Sequence, residues 1–246
     1  MERLLFHIGR FVMMLGGMFR AMEKPIVYYR LTLAEAVSMI GGSMLILTVI
    51  SFFVGAVTTV QTAYQLTSSL VSNSIIGTIV STTAILELSP GIVNLVIAGR
   101  IGSQIASEVG TMRVTEQIDA LEVMGVNSKA YLVLPKIFAG LIALPVLTTI
   151  SCFLAHAGGI MAGHLSGEVT STEFILGMRA YYNPYQVVVM YVKAATFGFI
   201  IATVSSYQGY FTKGGALDVG ASSTRAVVYS CLVITLFDYL IAMLML

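Results

Sequence analysis

From Ala36 to Tyr64 the chain runs without one charged residue. A crossing of the bilayer's hydrocarbon core takes about 20 mostly apolar residues. This stretch exceeds that length, and four further runs come close to it or pass it. Pro90–Ala106 and Ile137–Gly163 are predominantly apolar. Pro184–Tyr207 is broken only by Lys193, and Ala226–Leu246 only by Asp238. Charged residues make up 10% of the 246, and apolar residues 57%. An average soluble domain carries roughly 25% charge, and its exterior needs that charge. The chain is therefore expected to be an all-α integral membrane protein. Thirteen basic and twelve acidic side chains leave a net charge of +1. That excludes both a basic nucleic-acid binder and an acidic disordered chain.

These runs give five spans. Between the first and second, Gln65–Leu86 is uncharged but rich in Ser, Thr and Asn. We read it as a short, partly inserted extracytoplasmic segment, with a sixth span as the alternative. Loop charge decides for five. With a cytoplasmic N-terminus, that side holds Arg3, Arg10, Arg20, Lys24, Arg30, Arg113, Lys129, Lys136, Lys213 and Arg225, and the outer side holds only Arg179. This is the asymmetry of the positive-inside rule. A sixth span would move Arg113, Lys129 and Lys136 outside. The C-terminus then lies on the outer side. No repeat period emerges, which weighs against inverted-repeat transporters.

Residues 1–35 form a separate N-terminal region, ahead of a permease-like body over 36–246. Leu4, Ile8, Phe11, Leu15, Met18 and Met22 step by four and three, which puts them on one helical face. Arg3, Arg10 and Arg20 project from the other. This pattern suits a helix lying in the membrane interface with its arginines toward anionic headgroups. A helix packed on protein would show the same stripe.

The loop Gly110–Lys136 holds a short amphipathic helix. Thr115 is placed to cap it, Glu116 and Asp119 sit near its positive end, and Gly125 is placed to end it. Val114, Ile118, Leu121 and Met124 make its apolar stripe, with Glu116, Gln117, Asp119 and Glu122 on the other sides. Such a helix can dock into a partner's groove. It can equally rest on the bilayer or on its own bundle, and spacing does not choose.

Charges inside spans are costly and call for a function. Glu87 opens the second span, Lys193 lies well into the fourth and Asp238 sits mid-way in the fifth. A buried lysine needs a carboxylate or a phosphate. Either the three form an internal ion pair that fixes packing, or they line a substrate path. Arg100 and Glu108 are expected to pair with each other or to hold an interface. Ala155, Gly159 and Gly163 share a face that permits close helix approach. Cys152 and Cys231 are small buried hydrophobes, and His156 and His164 share no face, so no metal site is expected.

The order Ala98-Gly99-Arg100-Ile101-Gly102, Glu108-Val109-Gly110-Thr111-Met112 and Val114-Thr115-Glu116-Gln117-Ile118-Asp119-Ala120-Leu121-Glu122-Val123-Met124-Gly125 resembles the MlaE (YrbE-type) family of ABC-transporter permeases. The likeness extends to Glu87-Leu88-Ser89-Pro90, Tyr131-Leu132-Val133-Leu134-Pro135, Tyr207-Gln208-Gly209-Tyr210, Lys213-Gly214-Gly215-Ala216, Thr224-Arg225-Ala226-Val227-Val228 and Asp238. It covers nearly the whole chain; the first 35 residues match only in character. The resemblance implies a homodimeric membrane subunit that moves phospholipids between membranes of the bacterial envelope. It implies a cytoplasmic ATPase dimer that binds ATP and Mg, a periplasmic ring of MCE-domain subunits and, in some systems, a STAS-domain protein. The chain would sit in the inner membrane. It would carry no catalytic residue and no cofactor of its own, and the sequence has no GxxxxGK[ST] phosphate loop. The helix bearing Thr115, Glu116, Gln117, Ile118, Asp119, Leu121, Glu122 and Met124 would then be the coupling helix. Fourteen methionines and twelve phenylalanines suit an adaptable apolar cavity. The competing classes are an ion-driven secondary transporter, with Glu87, Lys193 and Asp238 as a relay, and a membrane-embedded lipid enzyme. The enzyme would need a nucleophile with a base, a metal set or paired carboxylates, and no such set converges in the sequence.

Overall fold

In hydrocarbon every backbone N–H and C=O must find its partner within the protein, so a spanning segment becomes a helix. The computed structural model of the chain describes residues 2–18, 25–66 and 72–246, with no strand among them. Five of its helices are long and apolar enough to cross a membrane: α2 (Pro25–Gln65), α3 (Ser74–Val114), α5 (Ser128–Ser166), α7 (Pro184–Tyr210) and α8 (Ala216–Met245). Three shorter helices accompany them: α1 (Glu2–Gly17), α4 (Gln117–Val123) and α6 (Ser171–Ala180). The five-span count holds.

The helices outrun the apolar stretches. α2 begins at Pro25, where a proline at the first helical position forfeits no hydrogen bond, and α8 begins at Ala216. Hydropathy stops at the first charge, whereas the backbone ladder continues past it. At 1.5 Å per residue, the 41 residues of α2 reach roughly twice the bilayer's apolar thickness.

The expected extracytoplasmic segment is corrected. Its described second half, from Ser74, is the start of α3. Two of the polar residues there bond to other helices. Thr78 Oγ1 donates to the Gly177 carbonyl at 2.8 Å, and Ser81 Oγ lies 3.0 Å from His156 Nε2. Ile76 and Val80 are buried against Phe174 and Val169. Gly177 is a close approach between α6 and α3: a side chain there would run into the Ser74 backbone. α6 itself follows a readable signal, Thr170-x-x-Glu173. The Thr170 hydroxyl accepts from the Glu173 N–H, and the Glu173 carboxylate accepts from the Thr170 N–H.

The chain divides into two compact units built from pieces of the same five spans. One comprises 1–41, 98–143 and 197–234, the other 42–97, 144–196 and 235–246. In the first, Met14 and Met18 of the α1 region are buried, while Phe6, Val12 and Met13 are exposed. His7 Nδ1 lies 2.8 Å from the Tyr207 hydroxyl. Arg10, expected to face headgroups, instead stacks over Phe211 at 3.8 Å from the ring centroid. Arg20 and Met22, and the side chains of Arg3, Leu4 and Ile8, lie outside the described residues. In the second unit, α2 and α5 touch backbone to backbone: Gly55 has no room for a side chain against Ala155, nor Gly158 against Phe52. The small-residue face containing Ala155 thus packs within the chain.

Candidate functional site

Glu87, Lys193 and Asp238 come together in the second unit. Lys193 is 0% exposed. Its Nζ donates to Glu87 Oε1 at 3.0 Å and to the Leu86 carbonyl at 3.0 Å. Asp238 Oδ1 lies 2.8 Å away, a charge contact without hydrogen-bond alignment. One cation therefore holds two anions from different helices, α3 and α8. The Glu87 side chain is 48% exposed and that of Asp238 22%. Their outer oxygens approach Gly91, whose missing side chain leaves the carboxylates uncovered.

Local backbone makes this possible. Ala84–Val93 is a π-helical stretch inside α3, with Pro90 within it. Proline has no N–H, so the α-helical donor for the carbonyl of Leu86, four residues earlier, does not exist. Lys193 supplies a donor to that oxygen. Such π-bulges concentrate at functional sites.

A second cluster was not foreseen. Lys136, counted above as a loop charge, is 2% exposed within α5. It pairs with Glu35 of α2 and, at 2.8 Å, with Glu108 of α3. Glu108, expected to pair with Arg100 or to hold an interface, thus has Lys136 as a partner. All three of these helices run further than the apolar stretches did, and this brings Lys136 inside the packing.

The amphipathic loop helix exists as α4, with different ends. Thr115 does not cap it; its hydroxyl donates to the Thr111 carbonyl at 2.8 Å. Glu116 occupies the capping position at φ 60° with no side-chain bond. That left-handed conformation is costly for a residue other than glycine and turns the chain sharply from α3 into α4. The C-terminus follows expectation. Gly125 has φ 78°, its N–H donates to the Glu122 carbonyl at 3.0 Å, and the Val126 N–H to that of Leu121 at 3.1 Å. This is the Schellman ending.

α4 is fastened at three points. Ile118 is fully buried. Asp119 forms an ion pair with Arg113. Glu122 accepts from Ser128 Oγ at 2.7 Å and from the Tyr210 hydroxyl at 3.0 Å, and the Ser128 bond leads in holding its carboxyl below the usual carboxylate range. Ile118 therefore faces inward, while Glu122, though open to water, is tied to α5 and α7. The free face carries Glu116, Gln117 and Met124 together with Val123, which is 88% exposed. Val123 lies off the predicted stripe, so periodicity passed over it.

The family model described as Permease MlaE matches residues 32–244. A Rickettsia bellii protein named "Probable ABC transporter permease protein" is 36% identical over 239 residues, 97% of this chain and 92% of that protein. A Synechocystis protein with the same descriptive name is 37% identical over 212 residues, 86% of this chain and 80% of its own length. The chloroplastic Arabidopsis thaliana protein named TRIGALACTOSYLDIACYLGLYCEROL 1 is 37% identical over 195 residues, 78% of this chain and 55% of that protein. With five candidate spans, the chain is a multi-pass membrane protein, and a permease of this kind works with an ATPase partner. It belongs to the MlaE permease family, as the membrane subunit of an ABC transporter and not an enzyme.

Proposed function

We propose that the chain moves phospholipids between membranes of the bacterial envelope, with Glu87, Lys193 and Asp238 on the lipid's path. The observation that carries this is the wholly buried Lys193 holding two partly open carboxylates. The cluster keeps a surplus negative charge deep in apolar spans, which is expensive for a purely structural tie. A polar station in an apolar passage is what a lipid headgroup requires. The name of the Arabidopsis relative, which contains a galactolipid, supports a lipid cargo.

The remaining assembly follows the family resemblance. Two copies of the chain sit in the inner membrane, N-terminus cytoplasmic and C-terminus periplasmic. A cytoplasmic ATPase dimer, which holds ATP and Mg, docks on the free face of α4. An MCE-domain ring stands on the periplasmic side, and, as in some systems of the family, a STAS-domain protein joins on the ATPase. Closure of the ATPase pair displaces α4. Its three fastenings, to Arg113, to Ser128 and Tyr210, and through buried Ile118, pass that displacement to α3, α5 and α7.

The test is reconstitution in liposomes with the co-purified ATPase and a fluorescent phospholipid. ATP-dependent, vanadate-sensitive lipid movement is expected, and Lys193→Ala should reduce it more than it reduces complex recovery. Purification as a solitary, fully active chain refutes the permease assembly. Unimpaired movement in Lys193→Ala, Glu87→Ala and Asp238→Ala alike removes the three from the path.

A further inference from the structure

A cavity of about 480 Å³ lies within the second unit, and none of the three charges is among the residues that line it. α3, α5, α6 and α7 contribute to it. Ile85 and Met190 are buried at its floor, and Phe153, Arg179 and Tyr182 are exposed at its rim. Its few inner polar groups already serve one another. His156 Nδ1 donates to the Cys152 carbonyl at 2.6 Å, which leaves Nε2 to accept from Ser81. Thr149 Oγ1 donates to the Tyr191 hydroxyl at 3.1 Å. The walls consequently present apolar surface, and the volume falls within the range of small-molecule sites.

Charge identifies the occupant. The second unit contains only two Lys or Arg residues, Lys193 and Arg179. Lys193 is buried and doubly paired. Arg179 is exposed and makes no salt bridge among the described residues. It ends α6, beside exposed Tyr181, Tyr182 and Tyr185. Clustered tyrosines mark the level of the headgroups. From that level the cavity runs alongside α7, past Val187 to Met190. A lone cation at headgroup depth over a chain-sized apolar hole is complementary to one kind of molecule, an anionic phospholipid.

We propose that this cavity is a phospholipid-binding site separate from the Glu87–Lys193–Asp238 station, with Arg179 on the phosphate and an acyl chain between α5 and α7. The proposal does not depend on transport and is tested without ATP. Native membranes holding the full chain and its partners are labelled with phosphatidylglycerol bearing a diazirine on its acyl chain. Diacylglycerol with the same chain is the uncharged control. The phosphatidylglycerol is expected to mark the peptides of Phe153 and Met190 more strongly than the control. Arg179→Gln should lower that labelling about fivefold, the worth of one basic side chain toward anionic lipid, and Arg179→Lys should retain it. Val187→Trp fills the hole without touching Arg179 and should also remove the label. Equal labelling by the two lipids, or labelling indifferent to Arg179→Gln, overturns the site. So does the absence of label in assembled membranes, the outcome expected if a partner's helix fills the cavity. Loss of transport in Lys193 variants with this labelling intact separates the two proposals.

Discussion

The two units solve the same problem with the same parts and in different company. Each buries one lysine between two carboxylates brought by two other helices: Lys193 with Glu87 and Asp238, Lys136 with Glu35 and Glu108. The lysines are almost equally hidden, at 0% and 2%. The Lys136 group joins stretches of α2, α3 and α5 close to where charge resumes in the sequence. The Lys193 group lies well inside its helices, with Glu87 within the π-helical stretch that contains Pro90. A tie between helix ends could be replaced by apolar contacts at little loss, since the pair roughly breaks even against its desolvation. A charged cluster far from any such end is the costlier of the two to keep as a mere tie.

The comparison is broken or sharpened by neutralising each cluster in steps. The largest effect is expected for Glu87→Gln with Asp238→Asn. It leaves the Lys193 ammonium with the Leu86 carbonyl and two neutral amides, and stranding a buried charge costs about 3–5 kcal/mol. The double variant should melt early in detergent. Adding Lys193→Met should recover the melting temperature and leave lipid movement lost. Recovered movement would make this cluster a structural tie like the other. Somewhat less is expected for Glu35→Gln with Glu108→Gln, about 3 kcal/mol, because the ends of those helices lie nearer to water. There, adding Lys136→Met should restore both stability and transport. Transport that stays lost in the stable triple variant would give the Lys136 cluster a working role.

Which cluster sequence could reveal follows from the same contrast. Glu87, Lys193 and Asp238 stood out because each was costly where it stood, and the three do meet. Glu35, Glu108 and Lys136 flank spans, where charge is ordinary, so nothing marked Lys136 as buried. The five spans and the glycine ending of α4 were legible from apolar length and from Gly125. The start of α3 was not. Its serines and threonines look solvated until α6 supplies the Gly177 carbonyl and α5 the His156 ring. The π-helical stretch was equally hidden: Pro90 announced a disturbance without specifying its form. Residue chemistry reported what was anomalous in place, and tertiary partners decided the rest.

Glu122 gives the smallest effect and sharpens the comparison from the other side, because neutral hydroxyls hold it, with Arg113 and Lys129 adding only a weaker attraction. Ser128 and Tyr210 donate to its carboxylate, and their bonds keep its titration below the ordinary value of 4.5. A carboxyl whose folded value is depressed stabilises the fold fully above the unfolded value, and the contribution fades as pH falls through the folded one. Glu122→Gln should therefore lower stability at neutral pH, and the gap from the unaltered chain should close below about pH 4.5. The residue is largely open to water, so screening keeps the difference to about 0.5 kcal/mol. Thermal melts of both proteins from pH 7 down to 4 would show it. A gap that stays constant with pH would mean that side-chain packing, and not the ionised carboxylate, fastens α4 at this point. The transport consequence should exceed the stability change, since one of the three fastenings of α4 is loosened while the fold stays intact.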